Sequence, residues 1–298
     1  MSFSVSVVIP TYQRPAEMVM RAVHSVLSQT LPPAEVIVVD DSPPGYCGSE
    51  DIKQAIVNLN RGDVILVRHE QNQGACAARN TGIVKAKGEL IAFLDDDDEW
   101  LPEKLEKQTP LFADETVGLV YCDMTKIVLA KDGSVLRRQR RGPSFFKGMV
   151  QKRLACNNFI GSTSAVVVRK KCFDDVGLFQ VELQSCQDFD MWLRISEKYA
   201  VDFVAEELVN YFCHGNEQIS NNPNKRIQGI ELLLETHRAL YRRHPVAFSG
   251  LKYQVGRNYK KLGDNRKAIL LFVKYGWAMC LLKPYVRAAS LFTRMTCK

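Results

Sequence analysis

Short runs of branched apolar residues alternate with stretches of helical spacing through the first hundred positions of the chain. VSVVIP (5–10) is a β-branched run that ends at a proline, and TYQRPAE leads from it to Met18, Ala22, Val26 and Leu27, which share one helical face. EVIVVDD (35–41) has the form of a buried strand ending in two acids, and the turn-rich SPPGYCGSE after it predicts a loop. ILVRHE (65–70) predicts a third strand, QNQGACAARNTGIVKAKG a loop and a small-residue helix stopping near Gly88, and ELIAFLDDDDEW a fourth strand. Strands alternating with helices predict an open α/β fold, a mostly parallel sheet with helices on both faces. Ligands of such sheets bind at the carboxyl ends of the strands. Thr11 and Tyr12, Asp40 and Asp41, and Asp95 to Asp98 are therefore expected along one rim.

The middle of the chain reads differently. LVYCDMTKIVL (119–129) and STSAVVVRK (162–170) predict strands, and between them RRQRRGPSFFKG has no period, which predicts a mobile loop over the site or a surface loop. CQDFDMWLRISEKYA (186–200) carries Phe189, Trp192, Leu193 and Ile195 at helical spacing, and VDFVAEELVNYFCHGNEQISNN predicts a last strand with an Asn-rich loop. From Lys225 onward, IQGIELLLETHRALYRR, FSGLKYQVGRNYKKLG, RKAILLFVKYGWAMCLLK and PYVRAASLFTR predict helices. The expected division is residues 1–220 as an α/β domain and 221–298 as a basic helical region.

Composition and charge narrow this picture. At 298 residues the chain is long enough for one large domain with an appendage, and its nine cysteines form no CxxC pair or zinc spacing, as expected of free thiols in a reducing compartment. The N-terminus has no basic n-region, so the expected location is cytoplasmic. Of the net charge of +7, residues 221–298 hold +13, leaving −6 for the rest. Residues 268–282 are apolar except for Lys274, about fifteen positions against the roughly twenty a span needs, and Trp277, Tyr285 and Phe292 among basic residues suit a helix lying in the lipid interface. A helical bundle packed on the first domain fits the same sequence. The tail contains no recognisable nucleic-acid module, and nucleic acid is not an expected partner.

Four consecutive aspartates repel one another unless a cation or a set of donors compensates them. Capping of a helix near Pro102 explains one acidic strand end, but not two with Tyr12 beside them. Mg²⁺ or Mn²⁺ bound by one or two carboxylates is completed by substrate phosphates, which makes a nucleotide diphosphate the expected ligand. Asp41 has the chemistry to accept from a uracil imide, and Tyr12 the ring to stack on the base.

VVIPTYQR, VVDDS, NQGACAARNTGI, FLDDDDEW and QDFDMWLR occur in the order seen in family 2 glycosyltransferases, and the resemblance covers roughly residues 4–220. It implies a GT-A fold, a nucleotide-sugar donor, a Mn²⁺ or Mg²⁺ cofactor and inversion at the anomeric carbon. Asp95-Asp96-Asp97 resembles the DxD element, which makes Asp97 the expected metal ligand and leaves Asp95 and Asp96 to the metal waters or the ribose. Asp41 resembles the residue that reads uracil, with Pro10 and Tyr12 flanking the base, and Arg79 lies in the segment that lines the nucleotide. Asp188 matches the acid of the ED-type motif, the expected catalytic base, although Gln187 stands where the family more often has glutamate. His214 aligns with a histidine that completes the metal site in some relatives.

The resemblance, with the basic tail, implies an inverting, metal-dependent transferase that moves a sugar from a UDP-sugar to a polyprenyl-diphosphate-linked saccharide of an O-antigen or capsule. Such an enzyme is expected to be peripheral on the anionic cytoplasmic face of the inner membrane. A polyprenyl-phosphate glycosyl synthase and a non-catalytic sugar-nucleotide-binding protein are the alternatives.

Overall fold

The computed structural model describes residues 3–130, 132–140, 145–213, 222–278 and 281. Its first half is the alternating pattern made solid. β1 (Val5–Thr11), β2 (Glu35–Asp40), β3 (Val64–Arg68) and β4 (Leu90–Phe93) lie parallel in the order β3-β2-β1-β4, linked by α1 (Ala16–Leu27), α2 (Gly48–Asn58) and α3 (Ala75–Lys85). Every residue of β1 and β2 is buried, because both faces are covered. Val5, Val7, Ile9, Val36 and Val38 pack on one side with α1 and α2, while Val8, Ile37 and Val39 pack on the other with α3. α3 comes so close to β1 that a Cβ on Gly82 would lie 2.2 Å from Val8.

Thr11 pairs level with Asp40, and the backbone N–H of Asp41 donates to Thr11 O at 2.9 Å. Tyr12 and Asp41 therefore leave the sheet side by side. The SPPGYCGSE segment is a loop only as far as Cys47, since Gly48 to Glu50 already belong to α2, where two acids of the first turn suit the helix dipole. ELIAFLDDDDEW is not one strand. β4 ends at Phe93, the aspartates form a turn in which Asp98 N donates to Asp95 O, and Glu99–Trp100 is a separate β5.

The second half is mixed. After α4 (Lys104–Gln108) come β6 (Val117–Leu129), β7 (Val135–Arg140), α5 (Gln151–Cys156), β8 (Val166–Arg169), α6 (Lys171–Val176), α7 (Gln187–Lys198) and β9 (Ala200–Cys213). β8 runs antiparallel between β4 and β6, and β6 is parallel to β9. STSAVVVRK begins as a 3-10 turn at Thr163–Ala165 before β8. The expected mobile loop RRQRRGPSFFKG is corrected in part: Arg137 to Arg140 belong to β7, paired with β6 from Thr125 to Leu129. An exposed polar strand carries little hydrophobic pattern, so its signal is the ladder and not its composition. Residues 141–144 lie outside the described residues.

α8 (Pro223–Thr236) starts at an Asn222 cap whose side chain accepts from Asn224 N and Lys225 N. It is followed by α9 (Arg238–Arg243), α10 (Pro245–Lys261) and α11 (Asn265–Tyr275). Ile230, Leu233, Leu251 and Val255 join Trp192 and Leu193 of α7 in one core cluster. The helical region thus shares the core of the sheet domain. A Cβ on Gly229 would lie 2.5 Å from Ser185 O, so α8 rests directly on the segment that enters α7. The expected terminal helix PYVRAASLFTR lies outside the described residues.

Candidate active site

A cleft of about 1150 Å³ opens at the carboxyl ends of β1, β2 and β4. Pro10, Tyr12, Asp41, Arg79, Asp95, Asp96, Asp97, Gln187 and Asp188 all line it. His214 lies outside the described residues. Single small-molecule sites occupy roughly 300–1,000 Å³, so the volume suits two substrates side by side.

Tyr12 is 47% exposed and presents its ring to the cleft. Asp41, by contrast, is buried, and its carboxylate already has four partners. Oδ1 meets His69 Nδ1 at 2.7 Å and accepts from Gln73 N at 2.8 Å, while Oδ2 accepts from Gly74 N at 2.7 Å and Asn72 Nδ2 at 3.1 Å. A carboxylate offers about four lone-pair positions, so this one fastens the loop before α3 and holds no oxygen in reserve for a base.

Each member of the aspartate run has its own surroundings. Asp95 accepts from Arg79 Nη2 at 2.7 Å and from Thr163 Oγ1 at 3.1 Å. Asp96 and Asp97 share Arg14, whose Nε and Nη2 reach them at 3.3 and 3.2 Å. Burial, with Asp97 and Asp95 nearby, pushes the Asp96 carboxyl up to about 6 against the pull of Arg14. Asp98 points away from the cleft, fully buried, accepting from Ser164 Oγ at 2.6 Å and Phe212 N at 3.1 Å.

Asp188 stands in the first turn of α7, half-buried, and accepts from Asn158 Nδ2 at 2.8 Å. Burial pushes its carboxyl above the usual range, although the Phe189 N–H, Arg226, Arg79 and Asn158 favour the charged form. Just before it, Cys186 adopts the left-handed conformation (φ 65°, ψ 20°), a strained state for a residue with a side chain and one that recurs at functional sites. Arg79 ties the two acidic segments together, because its Nη1 donates to Gln187 Oε1 at 3.1 Å while Nη2 holds Asp95. Gln187 also donates from Nε2 to Leu183 O at 2.8 Å, a bond a glutamate carboxylate has no proton to make.

Sequence reasoning did not single out Arg14, Asn158 and Thr163, or Lys126, Gln139, Lys225 and Arg226, which also line the cleft or hold its acids. Arg14 stood within VVIPTYQR and was legible by position. The others come from β6, β7, α8 and the loops before β8, and only the tertiary fold brings them there.

No group of three or more His, Cys, Asp or Glu among the described residues forms a ready-made metal cage. The donor set nevertheless suits a hard cation. Asp96 and Asp97 offer carboxylate oxygens at the cleft wall beside Arg14, and Mg²⁺ or Mn²⁺ binds through one or two carboxylates plus substrate phosphates.

A family model described as "Glycosyl transferase family 2" matches residues 6–177. The chain is 29% identical over 263 residues to WcaA of Escherichia coli (strain K12), named for colanic acid biosynthesis, covering 86% of this chain and 87% of that protein. It is 29% identical over 219 residues to TuaG of Bacillus subtilis (strain 168), named for teichuronic acid biosynthesis, covering 73% and 82%. The crystal structure of S. aureus TarS 1-349 in complex with UDP-GlcNAc superposes with a TM-score of 0.63 at 18% identity, covering 97% of this chain and 87% of that one. A further TarS crystal structure superposes with a TM-score of 0.60 at 19% identity, and the chain spans 43% of its length. At these identities the structural likeness establishes the GT-A-like α/β fold.

Proposed function

The chain belongs to glycosyl transferase family 2, and from that premise we propose that it transfers a sugar, with inversion, from a UDP-sugar to a polyprenyl-diphosphate-linked saccharide during assembly of a bacterial surface polysaccharide. The observation that carries this reading is the single cleft in which Asp188 and the Asp95–Asp97 rim face the same space, bridged by Arg79. The UDP-GlcNAc bound by TarS supports the donor class, and the names of WcaA and TuaG support the product class. The net +13 of residues 221–298 suits work at an anionic bilayer surface, where such an acceptor is held.

In this mechanism the Tyr12 ring stacks on uracil beside Pro10, and Asp41 shapes the base pocket through the loop it fastens. The acceptor hydroxyl gives its proton to Asp188 as its oxygen attacks the anomeric carbon from the face opposite the diphosphate. The bond from that carbon to the diphosphate oxygen breaks, and UDP leaves with the electron pair. Burial raises the basicity of Asp188, and the Asn158 amide orients its carboxylate. A divalent cation held by Asp97, with Asp95, Asp96 and His214 in support, would screen the charge gathering on UDP.

The test is UDP release from a panel of UDP-sugars, with Mn²⁺ or EDTA, with and without a synthetic GlcNAc-diphosphate-lipid. Release that requires metal and is raised by one donor and by the acceptor together is expected. UDP binding without release under every condition would replace the transferase with a sugar-nucleotide-binding protein.

A further inference from the structure

α11 is apolar on opposite sides. Ala268, Leu271, Phe272 and Tyr275 turn inward: Ala268 is buried, Phe272 lies 4.8 Å from the Tyr253 ring of α10, and Tyr275 lies 5.9 Å from Phe248. On the far side Ile269, Leu270 and Val273 are 61%, 67% and 79% exposed. Gly276 keeps right-handed helical angles (φ −62°, ψ −27°), and Trp277 and Leu281 beyond it are also exposed. At about 100° per residue Ile269, Leu270, Val273 and Trp277 fall within one sector of about 100°, opposite the packed face. An exposed apolar stripe bordered by basic residues marks an interaction surface.

The charge around the stripe decides among possible covers. Residues 245–281 hold seven Lys/Arg and one acid, Asp264. A second copy meeting stripe to stripe would bring the same positive surface, which repels, and residues 282–298 hold Lys283, Arg287, Arg294 and Lys298 with no acid, so they add no complementary charge. An anionic, apolar partner complements the stripe, and no described helix is long and apolar enough to cross a membrane. We propose that the Ile269–Leu270–Val273 face of α11, continued by Trp277 just beyond its end, lies in the headgroup boundary of an anionic bilayer, with Arg266, Lys267 and Lys274 on its phosphates. The inference extends the membrane-bound acceptor proposed above, and it places the contact on one helix.

The tryptophans provide the readout. Of the three, Trp100 and Trp192 are buried and Trp277 is 50% exposed. Addition of phosphatidylglycerol/phosphatidylethanolamine vesicles to the full chain is expected to shift Trp277 emission to the blue, with protection from acrylamide, while phosphatidylcholine vesicles give a far weaker response. Leu270→Glu and Val273→Glu, both at exposed positions, are expected to weaken vesicle binding at least tenfold. Val57→Glu on α2, an exposed apolar control, is expected to leave it unchanged. Sedimentation with vesicles but no change at Trp277, or equal loss in Val57→Glu, would overturn the assignment. So would an acidic-protein or self-association signal that the α11 variants abolish without any vesicle binding. Turnover of a water-soluble, short-chain acceptor separates the two readings: the α11 variants keep it if only docking is lost, and its absence in the wild type counts against the transferase reading alone.

Discussion

In FLDDDDEW, Asp97 faces the cleft while its neighbour Asp98 is fully buried, and in QDFDMWLR, Asp188 faces the cleft while Asp190, two residues on, is fully buried. The division of labour is the same, but the compensation is not. Asp190 accepts from Arg194 Nη2 at 2.7 Å and Nε at 3.0 Å, and its other oxygen meets His237 Nε2 at 2.8 Å. Burial acts to raise its carboxyl, yet His237 and Arg194 outweigh burial and hold it below the usual range. Asp98 has two neutral donors, and burial with Asp95 and Asp97 alongside drives its carboxyl well above the usual range. One buried acid is a cross-link between α7 and the C-terminal helices. The other is an acid whose negative charge the fold disfavours at the edge of a site.

The largest effect is expected at the cleft. Asp188→Asn keeps the size of the side chain and removes the base, so turnover should fall by roughly 10²–10⁴-fold with UDP affinity and unfolding midpoint unchanged. In the wild type the acid limb of kcat/KM should lie above the ordinary carboxylate range, because burial raises Asp188 and protonation removes the base as pH falls. A variant that binds UDP and still turns over at the wild-type rate would remove Asp188 from the mechanism.

Asp190→Ala should be the most destabilising change in either segment. It takes the carboxylate from the half-buried Arg194 and His237, of which Arg194 keeps the Val176, Gly177 and Leu178 carbonyls, a loss of roughly 3 kcal/mol in urea unfolding. A loss below about 1 kcal/mol would mean that the α7–α8 connection rests on the shared core alone and that Asp190 is no cross-link.

Much of this is legible in the amino-acid sequence. Branched runs ending in polar residues gave β1 to β4 and the rim, since a parallel strand buried on both faces carries an unmistakable apolar signal. Asp95 to Asp97 followed from their place at a strand end, and Asp188 from the resemblance of QDFDMWLR to the family's motif. What was not legible depends on distant pairing. Nothing local distinguishes Asp98 from Asp97; the difference is that Ser164 and the Phe212 N–H, 66 and 114 residues away, await only one of them. β7 is exposed and polar, so only its register with β6 marks it as a strand. Asp41 looked like a free acid at a strand end, and its four donors come from residues 69–74 on the far side of β3.

Asp98→Asn tests the uncompensated side of the contrast. The amide oxygen can still accept from Phe212 N, and the amide N–H can turn to Ser164 Oγ, so the packing survives without the charge. A carboxyl raised in the folded state holds its proton where the unfolded chain has released it, and wild-type stability is therefore lost as pH rises from the ordinary carboxylate value. In EDTA near neutral pH, Asp98→Asn should gain roughly 2 kcal/mol and lose that pH dependence. A destabilised variant would show that the negative charge is itself held by something the two neutral donors do not account for.

The smallest expected effect concerns a second uncompensated charge in the same region. Lys104 at the start of α4 is fully buried, its Nζ has no hydrogen-bond partner among the described residues, and it sits 4.0 Å from the centre of the Trp100 ring. Burial lowers its ammonium to about 8. The folded chain therefore carries fewer protons than the unfolded one between that value and 10.5, so stability rises with pH across the interval and the penalty is fully present at neutrality. The Trp100 face offsets part of that penalty, which is why the gain from removal should be modest. Lys104→Met keeps the unbranched stem and a sulfur against the ring, and should raise stability by about 1 kcal/mol near pH 7 while flattening the alkaline rise. Asp190→Ala and Lys104→Met then form a matched pair, a loss where a buried charge is paired and a gain where it is not. Equal losses from both would mean that burial, and not pairing, sets the worth of a charge in this fold.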